Sequence, residues 1–180
     1  MIIQFTGLSG VGKTTLATHA KEKLEKQGIQ IEILDGDIYR QYLFKDLGFS
    51  DEDRCENLRR LAFLANRFSD HKMVAIICAI NPFEKIRKEI CSNYKDVKTV
   101  FIDCPIEELI RRDTKGLYKK ALLSDGDKNK LHNLTGINAR FDTPIDPDLT
   151  INTCEKDIDT CVALLTNFIQ KYTAKPIRDN

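Results

Sequence analysis

Along this chain, short unbroken apolar runs alternate with longer stretches in which apolar residues return every three or four positions. The runs are Met1–Thr6 (with Ile2-Ile3-Gln4-Phe5 at its heart, ending at Gly7), Ile29–Leu34, Met73–Ile80, Val97–Asp103 and Leu149-Thr150-Ile151. Unbroken runs of this length read as strands buried on both faces, and Met73–Ile80 is the best candidate for a central one. Lys13 to about Gln27 places Leu16, Ala17, Ala20 and Leu24 on one helical face, and Gly28 stops it. Ser50, with Asp53 three residues on, is a variant capping box. It starts a helix whose apolar face is Leu58, Leu61, Ala62, Ala65 and Phe68. Pro82 fits the first turn of another helix and Pro105 opens the next. Asp157–Tyr172 closes the pattern with Ile158, Val162, Leu165 and Ile169 in register. Strands alternating with helices predict an α/β fold of three layers around a parallel sheet, whose ligands bind beyond the carboxyl ends of the strands.

Composition narrows this picture. A chain of 180 residues fits one domain, here residues 1–172, followed by a loose tail over 173–180. Residues from about 111 to 134 are polar and rich in Lys and Asp and read as a flap or lid. The formal charge of +1 lacks the basic excess of a nucleic-acid binder, although local patches stay open. No apolar stretch approaches the roughly 20 residues of a membrane span. The first strand is too short for a signal peptide and lacks a basic n-region, so a cytoplasmic location is expected. The six cysteines include no CxxC pair and read as reduced thiols. The alternative, a disulfide framework, is one that a chain of this size hardly needs.

The chemistry begins at Gly7-Leu8-Ser9-Gly10-Val11-Gly12-Lys13-Thr14, which matches GxxxxGK[ST] between a predicted strand and a predicted helix. Such a loop curls so that its N–H groups face phosphate oxygens, and the following helix adds its positive end. The expected ATP-binding set is Gly7, Ser9, Gly10, Val11, Gly12, Lys13, Thr14 and Thr15. Lys13 reaches the β- and γ-phosphates, and the Thr14 hydroxyl completes the shell of a Mg²⁺ ion. Asp35-Gly36-Asp37 follows the second strand. There Asp35 can orient or deprotonate an acceptor hydroxyl or hold a metal-bound water, with Asp37 in support. The plainer reading is a turn with solvated acids.

Together these stretches resemble adenylylsulfate kinases, P-loop enzymes that phosphorylate the 3′-hydroxyl of adenosine 5′-phosphosulfate. The resemblance runs from Gly7 to about Thr153 through GLSGVGKTTLA, LDGD from Leu34, DLGFSDEDRCENLRR from Asp46, RDTKGLYKKAL from Arg112, TGIN from Thr135 and DTPIDPDLTINT. It implies a Mg·ATP-dependent role in sulfate assimilation, and commonly a homodimer. It also implies that Asp37, Arg40, Phe49, Arg54, Asn57, Ile80, Asn81, Lys115 and Leu134 serve the acceptor, with Lys115 closing from the lid. Arg supplies a planar fork for sulfate and phosphate oxygens. Plainer readings stay open: Phe49 as a staple before Ser50, Arg59 and Arg60 as the solvated side of a helix, and Lys115, Lys119 and Lys120 as an ordinary charged face.

Three positions depart from the family pattern. Ile38 stands where Asn is usual. Cys78-Ala79-Ile80-Asn81-Pro82 replaces SFISP, so no phosphoserine can form at position 81. Leu134 replaces a Phe that helps to sandwich the adenine. All lie on the acceptor side, which keeps open a kinase of another nucleotide derivative such as cytidine diphosphoramidate. A nucleotide switch and an inactive binding module are the readings from other classes. Acceptor-dependent ATP turnover distinguishes a kinase from both.

Overall fold

The computed structural model describes residues 1–173 and contains one five-stranded sheet, all parallel, in the order β2-β3-β1-β4-β5. The strands are β1 (Ile2–Thr6), β2 (Ile31–Asp35), β3 (Val74–Cys78), β4 (Val97–Asp103) and β5 (Leu149–Asn152). The helices are α1 (Lys13–Glu25), α2 (Gly36–Tyr42), α3 (Asp51–Asp70), α4 (Glu84–Asn93), α5 (Ile106–Arg112), α6 (Leu117–Ala121) and α7 (Ile158–Thr173). β1, rather than the run from Met73, holds the middle of the sheet, although β3 is paired on both sides. Thr173 is helical, and the rest of the expected loose tail, 174–180, lies outside the described residues.

Alternation along the strands sorts the core into two layers. Ile3, Phe5, Val74 and Ile76 pack with α1 and α7, while Ile2, Ala75 and Ile77 pack with α3 and α4. The expected face of α1 is fully buried at Leu16, Ala17, Ala20 and Leu24, and Gly28 ends the helix in a left-handed conformation. On α7 only Ile158 departs from the expected face, being exposed. Pro82 lies outside its helix, because Phe83 is the N-cap residue of α4. At the start of α3 the Ser50 hydroxyl accepts from the Asp53 N–H at 3.1 Å. The Asp53 carboxylate accepts from that same hydroxyl instead of reaching back to the main chain. Among the described residues no helix is long and apolar enough to cross a membrane, and all six cysteines are free. Four of them, Cys55, Cys78, Cys104 and Cys161, are buried.

Candidate active site

A cavity of about 470 Å³ opens beyond the carboxyl ends of β1, β2 and β3, where a parallel sheet leaves a crevice. Its floor is the loop between β1 and α1. Gly7, at φ +153°, leaves β1 so close to β4 that a Cβ there would run into the Ile102 carbonyl oxygen. The Lys13 ammonium donates to the carbonyls of Gly7 (2.8 Å) and Leu8 (2.7 Å), which holds it over the loop. Desolvation there lowers its pKa to about 8, against the opposing pull of the acidic groups nearby. The Thr14 hydroxyl donates to Asp35 Oδ2 at 2.8 Å. Asp35 Oδ1 accepts the N–H groups of Asp37 and Ile38, so the carboxylate caps α2 while facing the loop. Asp35-Gly36-Asp37 therefore starts a helix, not a free turn.

The opposite wall is assembled from distant segments. Phe49 is exposed over more than half its surface and lines the cavity. The guanidinium groups of Arg40 and Arg54 lie 5.0 Å and 5.9 Å from its ring centroid. Phe49 precedes the N-cap and Arg54 is the fourth helical residue. The staple position is thus filled by an aromatic–cation pair in place of two apolar groups. Arg54 also donates to the carbonyls of Phe49 (2.9 Å) and Asn133 (2.6 Å) and to the Thr135 hydroxyl (2.7 Å), tying α3 to residues 133–135. Arg40 donates to the carbonyls of Gly48 (2.6 Å) and Asp53 (3.3 Å). Burial lowers the pKa of both arginines, and for Arg40 the charge of Arg54 adds to this. Arg59 and Arg60 lie outside the site, paired with Glu89, Glu52 and Glu56 and with Asp46 and Glu56 respectively.

The segment 111–134 is more structured than its composition predicts. It contains α6, whose Tyr118 is buried and donates its hydroxyl to the Ser9 carbonyl at 2.9 Å. Burial pushes the Tyr118 phenol up to about 12. Lys115 pairs with Asp37 at 3.3 Å. Beyond this segment, Gly136 has φ +90°, a conformation that favours glycine, and it packs its turn against Leu8 of the phosphate loop.

Of the expected residues, the cavity brings together Ser9, Gly10, Gly12, Lys13, Thr14, Thr15, Asp35, Asp37, Phe49, Arg54, Ile80, Lys115 and Leu134. Gly7 and Val11 stand behind its wall. The Gly7 N–H is engaged by the Ile80 carbonyl at 3.1 Å, and the Val11 side chain is in the core. Arg40 and Asn57 also sit behind the lining, and the buried Asn57 Oδ1 has no protein partner. Asn81 departs from its expected place at the acceptor: it is 1% exposed and turned inward, with Nδ2 on Gln4 Oε1 at 3.0 Å. Its left-handed backbone, φ +49°, directs the side chain into the protein. Cys78, Ala79, Thr114, Leu117, Leu131, Asn133 and Thr135 also line the cavity and were not singled out from the sequence. Most fall inside the CAINP, RDTKGLY and TGIN stretches, so the signal was present in the segments although the residues were missed. Burial raises the Cys78 thiol well above its ordinary pKa, which keeps it protonated.

Comparisons with known proteins agree on one family. The adenylylsulphate kinase family model matches residues 1–152. An adenylyl-sulfate kinase of Synechococcus sp. (strain JA-3-3Ab) is 37% identical over 170 residues, covering 94% of each chain. One of Chloroflexus aurantiacus is 39% identical, covering 90% of this chain and 84% of its own. The Mycobacterium tuberculosis APS kinase in complex with AMPPNP and APS superposes with a TM-score of 0.86 at 35% identity, covering 94% and 96% of the two chains.

Proposed function

The chain belongs to the adenylylsulphate kinase family, and we infer that it transfers the γ-phosphate of ATP to the 3′-hydroxyl of adenosine 5′-phosphosulfate. The product is 3′-phosphoadenosine 5′-phosphosulfate, the activated form of sulfate. The observation that carries the mechanism is the Thr14–Asp35 contact of 2.8 Å, which places a hydroxyl and a carboxylate at the mouth of the phosphate loop.

In the proposed mechanism the loop N–H groups and the Lys13 ammonium hold the triphosphate, and Lys13 leaves the Gly7 and Leu8 carbonyls to do so. Thr14 Oγ1 is a hard oxygen donor that would hold Mg²⁺, an ion that keeps much of its shell from water and phosphates, and Asp35 would reach the ion through one of those waters. When bound, the ion neutralises charge developing on the phosphoryl oxygens. Asp35 Oδ2 accepts the proton of the acceptor hydroxyl directly or through a water, while its Oδ1 stays fixed on the α2 amides. Phe49 and Leu134 enclose the base, Arg54 binds the polar end of the acceptor from the lining, and Arg40 and Asn57 support that wall from behind it. Lys115, with Asp37, closes the segment 111–134 over both substrates and excludes water. With Asn at position 81 no phosphoserine can form there, and in this mechanism transfer is direct and in line.

The departures at Ile38, Asn81 and Leu134 are read as variation within this activity, and the cytidine alternative is not favoured beside adenylyl-sulfate kinase relatives of this similarity. A cytoplasmic location fits the free, mostly buried thiols. A homodimer fits the exposed Tyr42, Leu43 and Phe63, beside which Arg59 and Arg60 are already neutralised within the chain. The test is ADP release with Mg·ATP and adenosine 5′-phosphosulfate, against cytidine diphosphate derivatives and no acceptor. Turnover with the adenylylsulfate alone is expected, and turnover only with another acceptor would overturn the assignment.

A further inference from the structure

One group outside the cavity lining sits at the join between the two halves of the site. β1 is apolar on its α3/α4 face at Ile2 but polar at Gln4 and Thr6, both fully buried. Against them lies Arg87 of α4, 2% exposed, with all five guanidinium donors engaged. Nη1 donates to the Asn81 carbonyl at 2.7 Å and the Thr6 hydroxyl at 3.3 Å. Nη2 donates to the Asp142 carbonyl at 2.6 Å, and Nε and Nη2 both reach Glu84 Oε2. The Thr6 hydroxyl in turn donates to the Asn81 carbonyl at 3.0 Å. One residue later on β1's side and one residue earlier on the other, the Gly7 N–H donates to the Ile80 carbonyl.

Two consecutive residues at the mouth of the phosphate loop are thus bonded to two consecutive carbonyls of the segment whose Ala79 and Ile80 wall the acceptor cavity. Arg87, paired with Glu84, is the cation of that junction, and its planar fork fixes the direction as well as the length of the contact. We propose that Arg87 is a positioning residue for phosphoryl transfer: it fixes the acceptor wall at a set distance from the phosphate loop, so that the acceptor hydroxyl and not water meets the γ-phosphate in line.

The proposal rests on the adenylylsulfate kinase reading, and the experiment separates the two. ADP and phosphorylated acceptor are counted in the same quenched reactions. Wild-type protein that forms no 3′-phosphorylated adenylylsulfate defeats the underlying reading. If it does, Arg87→Met paired with Glu84→Gln (which avoids a stranded carboxylate) is expected to lower kcat for transfer by roughly tenfold to a hundredfold. The KM for ATP is expected to stay within about twofold. ADP released per phosphorylated acceptor is expected to rise from about one to about five or more, as misplaced acceptor yields to water. Thr6→Val removes only the hydroxyl bonds and is expected to move the same ratio less far, so it carries the test should the double variant fail to fold. Arg87→Lys cannot reproduce the fork and should restore the ratio only in part. Loss of transfer and hydrolysis in equal proportion, or a fall in thermal stability with the product ratio unchanged in both variants, would overturn the proposal.

Discussion

The two sides of the cavity are built on different principles. The phosphate side is one continuous stretch, Ser9–Thr15, acting mainly through its own main chain. The acceptor side is gathered from four separate parts of the chain: residues 35–54, 78–80, 114–117 and 131–135. There the arginines hold not only a ligand site but also the loops that form it. A side made of local backbone geometry tolerates change around it. A side held by long-range side-chain bonds couples binding to stability.

This contrast sets the order of expected effects. Lys13→Ala removes the one cation at the centre of the loop and is expected to cost about a thousandfold or more in turnover. Its circular dichroism should stay unchanged and its Tm should move by no more than about 4 °C, whereas retained turnover would break the assignment of the phosphate side. Arg54→Ala is next, with the KM for the acceptor rising about a hundredfold, a loss of about 2–3 kcal/mol. Because the same side chain holds Thr135 and the Asn133 carbonyl, that variant should also lose about 1–2 kcal/mol of stability in denaturant titration. A selective rise in the KM for ATP would contradict its placement.

The pH dependence sharpens the comparison. In the free protein Lys13 is charged below about 8 and neutral above it. Binding of a polyanion then requires uptake of a proton above that pH, so ATP affinity measured by calorimetry should be flat below about 8. It should fall by up to about tenfold per pH unit above. Lys13→Arg, which cannot titrate in this range, should abolish that slope even if it binds more weakly. The smallest expected effect belongs to Tyr118→Phe. Loss of its bond to the Ser9 carbonyl should weaken ATP binding about fivefold, or about 1 kcal/mol, and leave the KM for the acceptor unmoved.

The same contrast explains what could be read from the sequence. Strand runs and the Leu16-Ala17-Ala20-Leu24 stripe are local patterns, and they match the observed sheet and α1 closely. The loop from Gly7 to Thr14 was legible because its motif lies in consecutive residues. Local pattern does not reveal that Arg54 is bonded to residues 79 and 81 positions away, or that Asn81 turns inward through its left-handed backbone. Tyr118 was hidden by the charges around it. The spacing of Leu117, Tyr118 and Ala121 was the local hint that this flap has an inner face.

That buried tyrosine has an optical consequence. The chain has no tryptophan and only five tyrosines, so ultraviolet emission is not swamped by indole, and one of its few emitters hangs from the phosphate loop itself. In an alkaline spectrophotometric titration Tyr118 should ionise late, near pH 12. Movement of the Ser9 carbonyl on nucleotide binding is expected to change this emission, giving the protein an intrinsic, label-free signal read by fluorescence titration with ATP.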